Sequence, residues 1–261
     1  MNTLVFDIET VPDVELGRRL YDLGDLDDES VAKAMYFKHK QARDSDFLPL
    51  AQHRIVVISG VLRDRDGLRI FSLGPEPVTE KDIVQRFFDG IERLSPVLVT
   101  WNGAGFDLPL LHYRALKHGV SAARYWETGD GDREFRYNNY LGRFHWRHVD
   151  LMDVLAGYQN AGRCSLEQAA LLLGLPGKLG MSGDLVWSYY LEGKVGEIKD
   201  YCETDVLNTY LIYLRFQLMR GVLDVEQHAH EVELLRQKLQ ASPEPHLQAF
   251  LGAWNGARGG I

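Results

Sequence analysis

The sequence predicts an α/β domain built on a mixed five-stranded sheet with helices on its faces. Two observations carry that prediction. Residues 54–62 and 68–73 are apolar runs joined by Arg-Asp-Arg-Asp-Gly, which indicates an antiparallel hairpin turning at Asp66-Gly67. Downstream, short apolar runs alternate with helical segments, a pattern typical of strands joined by crossover helices.

The other elements follow in chain order. Residues 3–8 form the first strand, and the acidic segment 13–43 is predicted to form helical insertions with a solvated charged face. A helix over 79–94 begins at Thr79 as N-cap. The remaining predicted elements are a strand at 97–99, a helix from Asp107, a strand that runs into a helix at 148–153, and helices at 165–173, 195–219 and 224–240.

The segment Phe6-Asp7-Ile8-Glu9-Thr10 ends the first strand. Alternate residues of a strand share a face, so Asp7 and Glu9 project together while Phe6 and Ile8 point the other way. Two adjacent carboxylates raise each other's pKa unless a cation lies between them. Hard divalent ions such as Mg²⁺ or Mn²⁺ prefer all-oxygen sites of this kind. The pair is therefore a candidate metal site.

A second motif, Trp101-Asn102-Gly103-Ala104-Gly105-Phe106-Asp107, follows the strand at 97–99. Its glycines predict a turn, and Pro109 in the first turn supports a helix that starts at Asp107. Asp107 is either a cap of that helix or an acidic ligand. Asp150, at the later junction of strand and helix, has the same two interpretations.

A third motif, Tyr201-Cys202-Glu203-Thr204-Asp205, lies inside the helix predicted over 195–219. Tyr201 and Asp205 are four residues apart and share a helix face, whereas Glu203 points elsewhere. Taken alone, the pair could equally be a surface tyrosine beside a solvated carboxylate.

Together the three motifs resemble the Exo I, Exo II and Exo III motifs of the DEDD superfamily of 3′–5′ exonucleases. Tyr201 matches the tyrosine branch, since the position five before Asp205, which holds histidine in the sister branch, is Asp200. Over residues 3–218 the chain is similar to stand-alone predicted exonucleases related to the proofreading domain of family B DNA polymerases. The resemblance implies a ribonuclease-H-like exonuclease domain over 1–220, with a C-terminal helical appendage and flexible tail over 221–261.

The same resemblance implies roles for individual residues. Tyr201 would orient the attacking water, and Thr10, Asn102 and Phe106 would contact the terminal nucleotide, Phe106 by stacking. Four carboxylates would bind two divalent cations, Mg²⁺ or Mn²⁺: Asp7, Glu9, Asp107 and Asp205. The implied reaction releases nucleoside monophosphates from the 3′ end of single-stranded DNA. An exoribonuclease acting on RNA and a non-catalytic nucleic-acid-binding scaffold are the alternatives.

Composition limits how a nucleic-acid partner can bind. The 261 residues carry a net charge of −8, whereas a generic nucleic-acid binder is basic, so the substrate needs a local basic strip. Residues 133–148 supply one, in which arginines including Arg136 and Arg143 alternate with aromatic residues that could stack on bases. The alternative is a surface hairpin whose aromatics pack inward.

The sequence also bears on location. No apolar run approaches the length of a membrane span, and a strand that begins by residue 3 leaves no room for a signal peptide. The two cysteines, Cys164 and Cys202, lack metal-site spacing, and Cys202 is predicted to be a small core residue. We therefore expect a cytoplasmic protein without a membrane partner; a protein partner in replication or repair is left open. The glycine-rich segment 174–178 lacks the spacing of a phosphate loop.

Overall fold

The computed structural model describes residues 2–45, 47–74 and 78–257. Its centre is a five-stranded sheet in the order β3-β2-β1-β4-β5. The strands are β1 (Thr3–Pro12), β2 (His53–Asp64), β3 (Gly67–Leu73), β4 (Val97–Thr100) and β5 (His148–Asp150). β2 is antiparallel to both β1 and β3, while β4 runs parallel to β1 and to β5. The predicted α/β class and mixed five-stranded sheet are confirmed.

The helices of the described segments lie on both faces and at the ends of this sheet. They are α1 (Val14–Tyr21), α2 (Asp28–Arg43), α3 (Glu80–Leu94), α4 (Asp107–His118), α5 (Leu151–Leu155), α6 (Leu166–Leu172), α7 (Val186–Leu191), α8 (Val195–Met219), α9 (Val225–Gln240) and α10 (Pro245–Gly256). None of the helices in the described ranges combines the length and the apolar character that crossing a membrane requires.

Local signals account for several helix starts. Thr79 accepts a hydrogen bond from the Asp82 N–H, and the Asp82 side chain accepts one from the Thr79 N–H, so α3 begins with a capping box. Ser165 and Gln168 form the same arrangement at the start of α6. Helix α8 spans the predicted residues 195–219, because no proline interrupts it.

The two faces of β1 have opposite surroundings. Leu4, Phe6 and Ile8 pack on the face covered by α3 and α4. Val5 packs on the other face, against the long helix α8. Since successive side chains alternate, Asp7 and Glu9 project toward α8, as the sequence predicts.

The helices beyond residue 220 pack on the same core as α8. Leu235 of α9 and Phe250 and Trp254 of α10 are buried in the hydrophobic cluster that includes Val206 and Tyr210 of α8. Helix α10 was not expected from the sequence; it begins with a proline in its first turn, where the missing N–H is tolerated. The division of the chain after residue 220 stays a prediction, and residues 258–261 of the predicted tail lie outside the described residues.

Candidate active site

The first two carboxylates lie where α8 crosses β1. One oxygen of Asp7, one oxygen of Glu9 and the sulfur of Cys202 all lie within 4.8 Å of one another. Cys202 is fully buried, and its Sγ is 3.5 Å from the Asp7 carbonyl oxygen and 3.8 Å from Oδ2 of Asp7. The helix therefore packs directly on the strand here, and Cys202 is a small core residue beneath the acidic pair.

Asp107 and Asp205 add two more buried carboxylates. Oδ1 of each is buried and has no hydrogen-bond partner among the described residues. Phe106 is the N-cap of α4 and no side chain caps that helix, so the cap interpretation does not describe Asp107. A buried acceptor without a partner destabilises the fold by about 1–3 kcal/mol, which a bound cation would remove.

Burial raises the pKa values of all four groups, and repulsion from other members of the group adds to the rise at Asp7, Glu9 and Asp107. Burial raises the pKa of Asp7 to about 7, with Asp205 adding to the rise, and burial raises the pKa of Asp205 to about 6. Burial, followed by repulsion from Asp7, raises the pKa values of Glu9 and Asp107 well above their usual range. Ionising the four together is unfavourable unless positive charge is brought among them.

The donor set fits hard divalent cations. Each of the four side chains offers carboxylate oxygens, the ligands that Mg²⁺ and Mn²⁺ prefer. The neighbouring sulfur does not change that preference, because burial raises the pKa of the Cys202 thiol well above its usual value and keeps it protonated. These residues could therefore hold the divalent ions that the sequence predicts.

Tyr201 lies one helical turn before Asp205 on α8 and is buried. Burial and then the Asp205 carboxylate raise the pKa of its phenol, so the hydroxyl keeps its proton at neutral pH. The alternative of an exposed tyrosine beside a solvated carboxylate does not describe this pair, since both residues are buried.

Lys178 is a charged neighbour that the sequence analysis did not identify. Its ammonium lowers the pKa values of Asp7, Glu9 and Asp205, and its Nζ lies 5.8 Å from the centroid of the Tyr201 ring. The amide of Asn208, on α8, donates to the Gly177 carbonyl oxygen over 2.9 Å and so fixes the backbone next to Lys178. A single lysine in a glycine-rich loop gave no local signal of this position.

The loop of the second motif is held by Asp150. The N–H groups of Asn102 and Ala104 each donate to an oxygen of Asp150 over 2.9 Å, and Asp150 also caps α5. Asn102 has a left-handed backbone with φ 68°, which asparagine tolerates. A Cβ at Gly105 would lie 2.7 Å from Oδ1 of Asn102, so a larger residue there would displace the Asn102 side chain. The cap interpretation of Asp150 is confirmed, and the same carboxylate also orders the loop before Asp107.

Thr10 follows a β-bulge in the pairing of β1 with β2. Glu9 pairs with Val57 whereas Thr10 pairs with Ile55, so β2 has one extra residue at this point. The Thr10 hydroxyl lies 2.9 Å from Nδ1 of His53, whose Nε2 lies 3.1 Å from the Leu48 carbonyl oxygen.

Phe106 belongs to an aromatic group with His53 and Phe47. The ring of Phe106 makes edge contacts with both of the other rings, with centroids 5.7 Å apart in each case. Phe47 is exposed. It was not identified from the sequence, because it lies in a loop more than 30 residues from each motif.

Residues 45–254 match the family model of predicted 3′–5′ exonucleases related to the exonuclease domain of PolB. The chain belongs to this family. A solved structure of the family B DNA polymerase from the hyperthermophilic archaeon Pyrobaculum calidifontis resembles 99% of this chain with a TM-score of 0.53 at 18% identity. The resemblance covers 28% of that polymerase and confirms the ribonuclease-H-like exonuclease fold.

Two relatives of this chain are polymerase epsilon proteins of yeasts. The DNA polymerase epsilon catalytic subunit of Schizosaccharomyces pombe is 28% identical over 148 residues, and that of Saccharomyces cerevisiae is 25% identical over 146 residues. Each match covers 52% of this chain and 6% of the relative. The chain thus spans only a small part of the length of these relatives.

The basic strip at residues 133–148 packs partly into the core. Residues 133–148 form a short 3₁₀ turn at Arg133–Phe135 and irregular backbone instead of a hairpin. Phe135 and Tyr140 are core residues, and the Arg147 guanidinium lies 3.9 Å from the Phe135 ring centroid. Arg136 is exposed and without an ion pair to any described residue, whereas Arg143 contacts the buried Asp153.

Proposed function

We propose that this chain is a metal-dependent 3′–5′ exonuclease that releases nucleoside monophosphates from the 3′ ends of single-stranded DNA by a two-metal mechanism. One observation carries the proposal: four carboxylates with raised pKa values meet between β1, α4 and α8, of which Asp7 is half-buried and the other three are buried. Two of their oxygens have no partner in the described part of the chain. A folded protein tolerates such a cluster of carboxylates where a bound cation neutralises their charge and contacts the unpartnered oxygens.

Asp7, Glu9, Asp107 and Asp205 hold the ions in this proposal. When bound, a pair of divalent ions supplies a water of lowered pKa and stabilises negative charge on the leaving oxygen. Asp7 interacts with both of its acidic partners from the helices, because Asp205 raises the pKa of Asp7 and Asp7 raises the pKa of Asp107. That position supports Asp7 as a central member of the group that would hold the ions.

Tyr201 and Lys178 act beside the carboxylates. The neutral phenol of Tyr201 hydrogen-bonds the Asp205 carboxylate and orients the attacking water; it does not serve as a base, since its pKa is raised above the usual value. The ammonium of Lys178 offsets part of the negative charge and attracts the phosphodiester. The proposal thus adds Lys178 to the residues that the motifs indicate.

The terminal nucleotide binds along Thr10, Asn102 and Phe106. Phe106 stacks on the base, a contact that every base can make. A paired 3′ end must first unstack and unpair, which costs a few kcal/mol, so single strands are preferred. Arg136 and Arg143 guide the strand. The similarity to two DNA polymerase proteins supports DNA over RNA, and a cytoplasmic location stays a prediction, supported by two free cysteines.

Cleavage of labelled strands tests this function. Linear single strands of DNA and of RNA, labelled at the 5′ end, are incubated with the protein and Mg²⁺, Mn²⁺ or EDTA. We expect a descending ladder with DNA in either metal and none in EDTA. A closed circular single strand should remain intact. Cleavage of the circle, or undiminished cleavage in EDTA, would contradict the proposal.

A further inference from the structure

We propose that Arg143 and Arg163 form a phosphate-binding cleft, separate from the carboxylates, that holds the backbone of the substrate strand upstream of its 3′ end. The identity of the strand rests on the proposed function. The phosphate site itself rests on contacts within the chain, centred on the buried Asp153.

Asp153 fixes both arginines. Its carboxylate is 3% exposed, and Oδ2 accepts a hydrogen bond from Nε of Arg143 over 3.0 Å and lies 2.9 Å from Nη2 of the same guanidinium. Its other oxygen, Oδ1, accepts from Nη2 of Arg163. One carboxylate thus neutralises one of two guanidinium groups, and one positive charge is left over.

The unsatisfied part of each arginine faces solvent. The side chains of Arg143 and Arg163 remain 48% and 31% exposed, although Asp153 holds one edge of each. A guanidinium is a rigid fork of donors that matches a phosphate, and an arginine already held in place loses less conformational freedom on binding. The arrangement is therefore ready for an anion with several acceptor oxygens.

The two arginines line a cleft of about 500 Å³. Its apolar wall includes Leu108, Pro109 and Leu141, and its polar groups include His112 and Asn160. The volume falls within the range of ligand pockets, roughly 300–1,000 Å³, and suits a nucleotide unit. A site for an isolated inorganic anion would not need the apolar wall.

The cleft is continuous with the loop that carries the proposed contacts to the terminal nucleotide. Ala104 and Gly105 belong both to that loop and to the wall of the cleft. Asp150 connects the two regions, because it holds the Ala104 N–H and caps α5, the helix that carries Asp153. A strand whose last nucleotide meets Phe106 would therefore have its preceding phosphates near the arginines.

Binding without turnover tests the phosphate site. We would measure the fluorescence anisotropy of a 5′-fluorescein dT20 strand in EDTA with Arg163→Gln, Arg163→Lys and the control Arg65→Gln. Arg65 is exposed in the β2–β3 turn, which lies beyond the Thr3 end of β1, and it does not line the cleft. We expect Arg163→Gln to raise Kd about five- to tenfold and to reduce the slope of log Kd against log salt by about 0.7.

The other variants, one small substrate and the product dTMP distinguish a site for upstream phosphates from a product site. Arg163→Lys should keep the salt slope but lose affinity, because a lysine is not a fork, and Arg65→Gln should match the wild type. In Mn²⁺, Arg163→Gln should lower dT20 cleavage at least fivefold more than hydrolysis of thymidine 5′-p-nitrophenyl phosphate, which has no upstream phosphate. The cleft would instead be a product site if dTMP binding weakened while dT20 binding did not.

An unchanged Kd and salt slope in Arg163→Gln would overturn the proposal, as would equal losses on both substrates. The anisotropy measurement needs no catalysis. An inactive wild-type protein would therefore contradict the proposed function, while the binding data would still test the phosphate site.

Discussion

The hydroxyl of Thr10 donates a hydrogen bond to Nδ1 of His53 across 2.9 Å. The direction follows from the other side of the imidazole: Nε2 faces the Leu48 carbonyl oxygen, which can only accept, so Nε2 carries the proton. Burial lowers the pKa of His53, and the ring is therefore neutral with an acceptor at Nδ1. Thr10 is left with its oxygen lone pairs available to a donor such as a 3′-hydroxyl.

We therefore expect Thr10→Val to reduce kcat/KM on strands that end in a 3′-hydroxyl by about five- to tenfold, the effect of one lost hydrogen bond. Strands that end in a dideoxynucleotide lack that donor and should be cleaved equally by both proteins. Parallel assays with the two substrates check this. Equal losses on both would mean that Thr10 does not contact the terminal hydroxyl.

Removal of the central carboxylate should abolish turnover without unfolding the chain. Asp7→Ala is expected to lower kcat by at least about 10³-fold, comparable to the loss of a major electrostatic stabiliser. Asp89→Ala, which removes an exposed acid of α3, is the matched control and should keep full activity. Circular dichroism would verify the fold of both variants, and an active Asp7→Ala protein would rule out the two-metal interpretation.

The raised pKa values predict how stability depends on pH when metal is removed. A carboxyl whose folded-state pKa is raised binds its proton more tightly in the folded protein, so its contribution to stability falls as pH rises from about 4 through about 7. In EDTA, Asp7→Asn should therefore be more stable than wild type, by at least about 1 kcal/mol at pH 8 and by less at pH 5. Urea unfolding at both pH values measures this difference, and a difference that shrinks toward pH 8 would contradict it.

The charge of Lys178 should also affect how stability depends on pH when metal is removed. Because its ammonium lowers the pKa values of Asp7, Glu9 and Asp205, Lys178→Met should raise them further. In EDTA the loss of stability should then extend to higher pH than in wild type. Lys178→Arg retains the charge and should show the wild-type dependence of stability on pH. If all three proteins show the same dependence, the ammonium of Lys178 does not affect the pKa values of the carboxyl groups.

Phe47 is expected to contribute to binding of the strand end through its contact with Phe106. Phe47→Ala should raise KM for single strands by about fivefold, the lower end of a lost stacking contact, with little dependence on base identity. Phe37→Ala removes an exposed phenylalanine of α2 and serves as control. Steady-state cleavage of dT20 and dA20 checks both points, and equal KM values for the two variants would count against a role for Phe47.

Much of the fold could be predicted because local chemistry determines it. The predicted N-cap at Thr79 and the alternation through Asp7 and Glu9 are short-range patterns, and the structure reproduces both of them. β1 runs on to Pro12, beyond the predicted residue 8, because its end depends on pairing with β2 across the bulge. A bulge on the partner strand leaves no mark in the sequence of β1.

The site could be predicted only where the motifs lie. Lys178 and Phe47 reach it by tertiary packing of loops, and Asp153 binds Arg163, ten residues later, across a turn that no periodicity describes. In residues 133–148, the sequence does not show which of the arginine and aromatic side chains are buried and which are exposed. Tertiary packing decides that Phe135 lies in the core and Tyr137 outside it.

Glu203 and Asp205 share one turn of α8 but face different neighbours. Glu203 accepts a hydrogen bond from the Ser72 hydroxyl over 2.6 Å, and its Oε2 lies 2.6 Å from Nε2 of His246 in α10. A helical turn moves as a rigid unit, so any shift of α10 against the sheet would also displace Asp205. Through His246, the last described helix therefore stabilises the turn that carries Asp205, the proposed metal ligand 41 residues earlier.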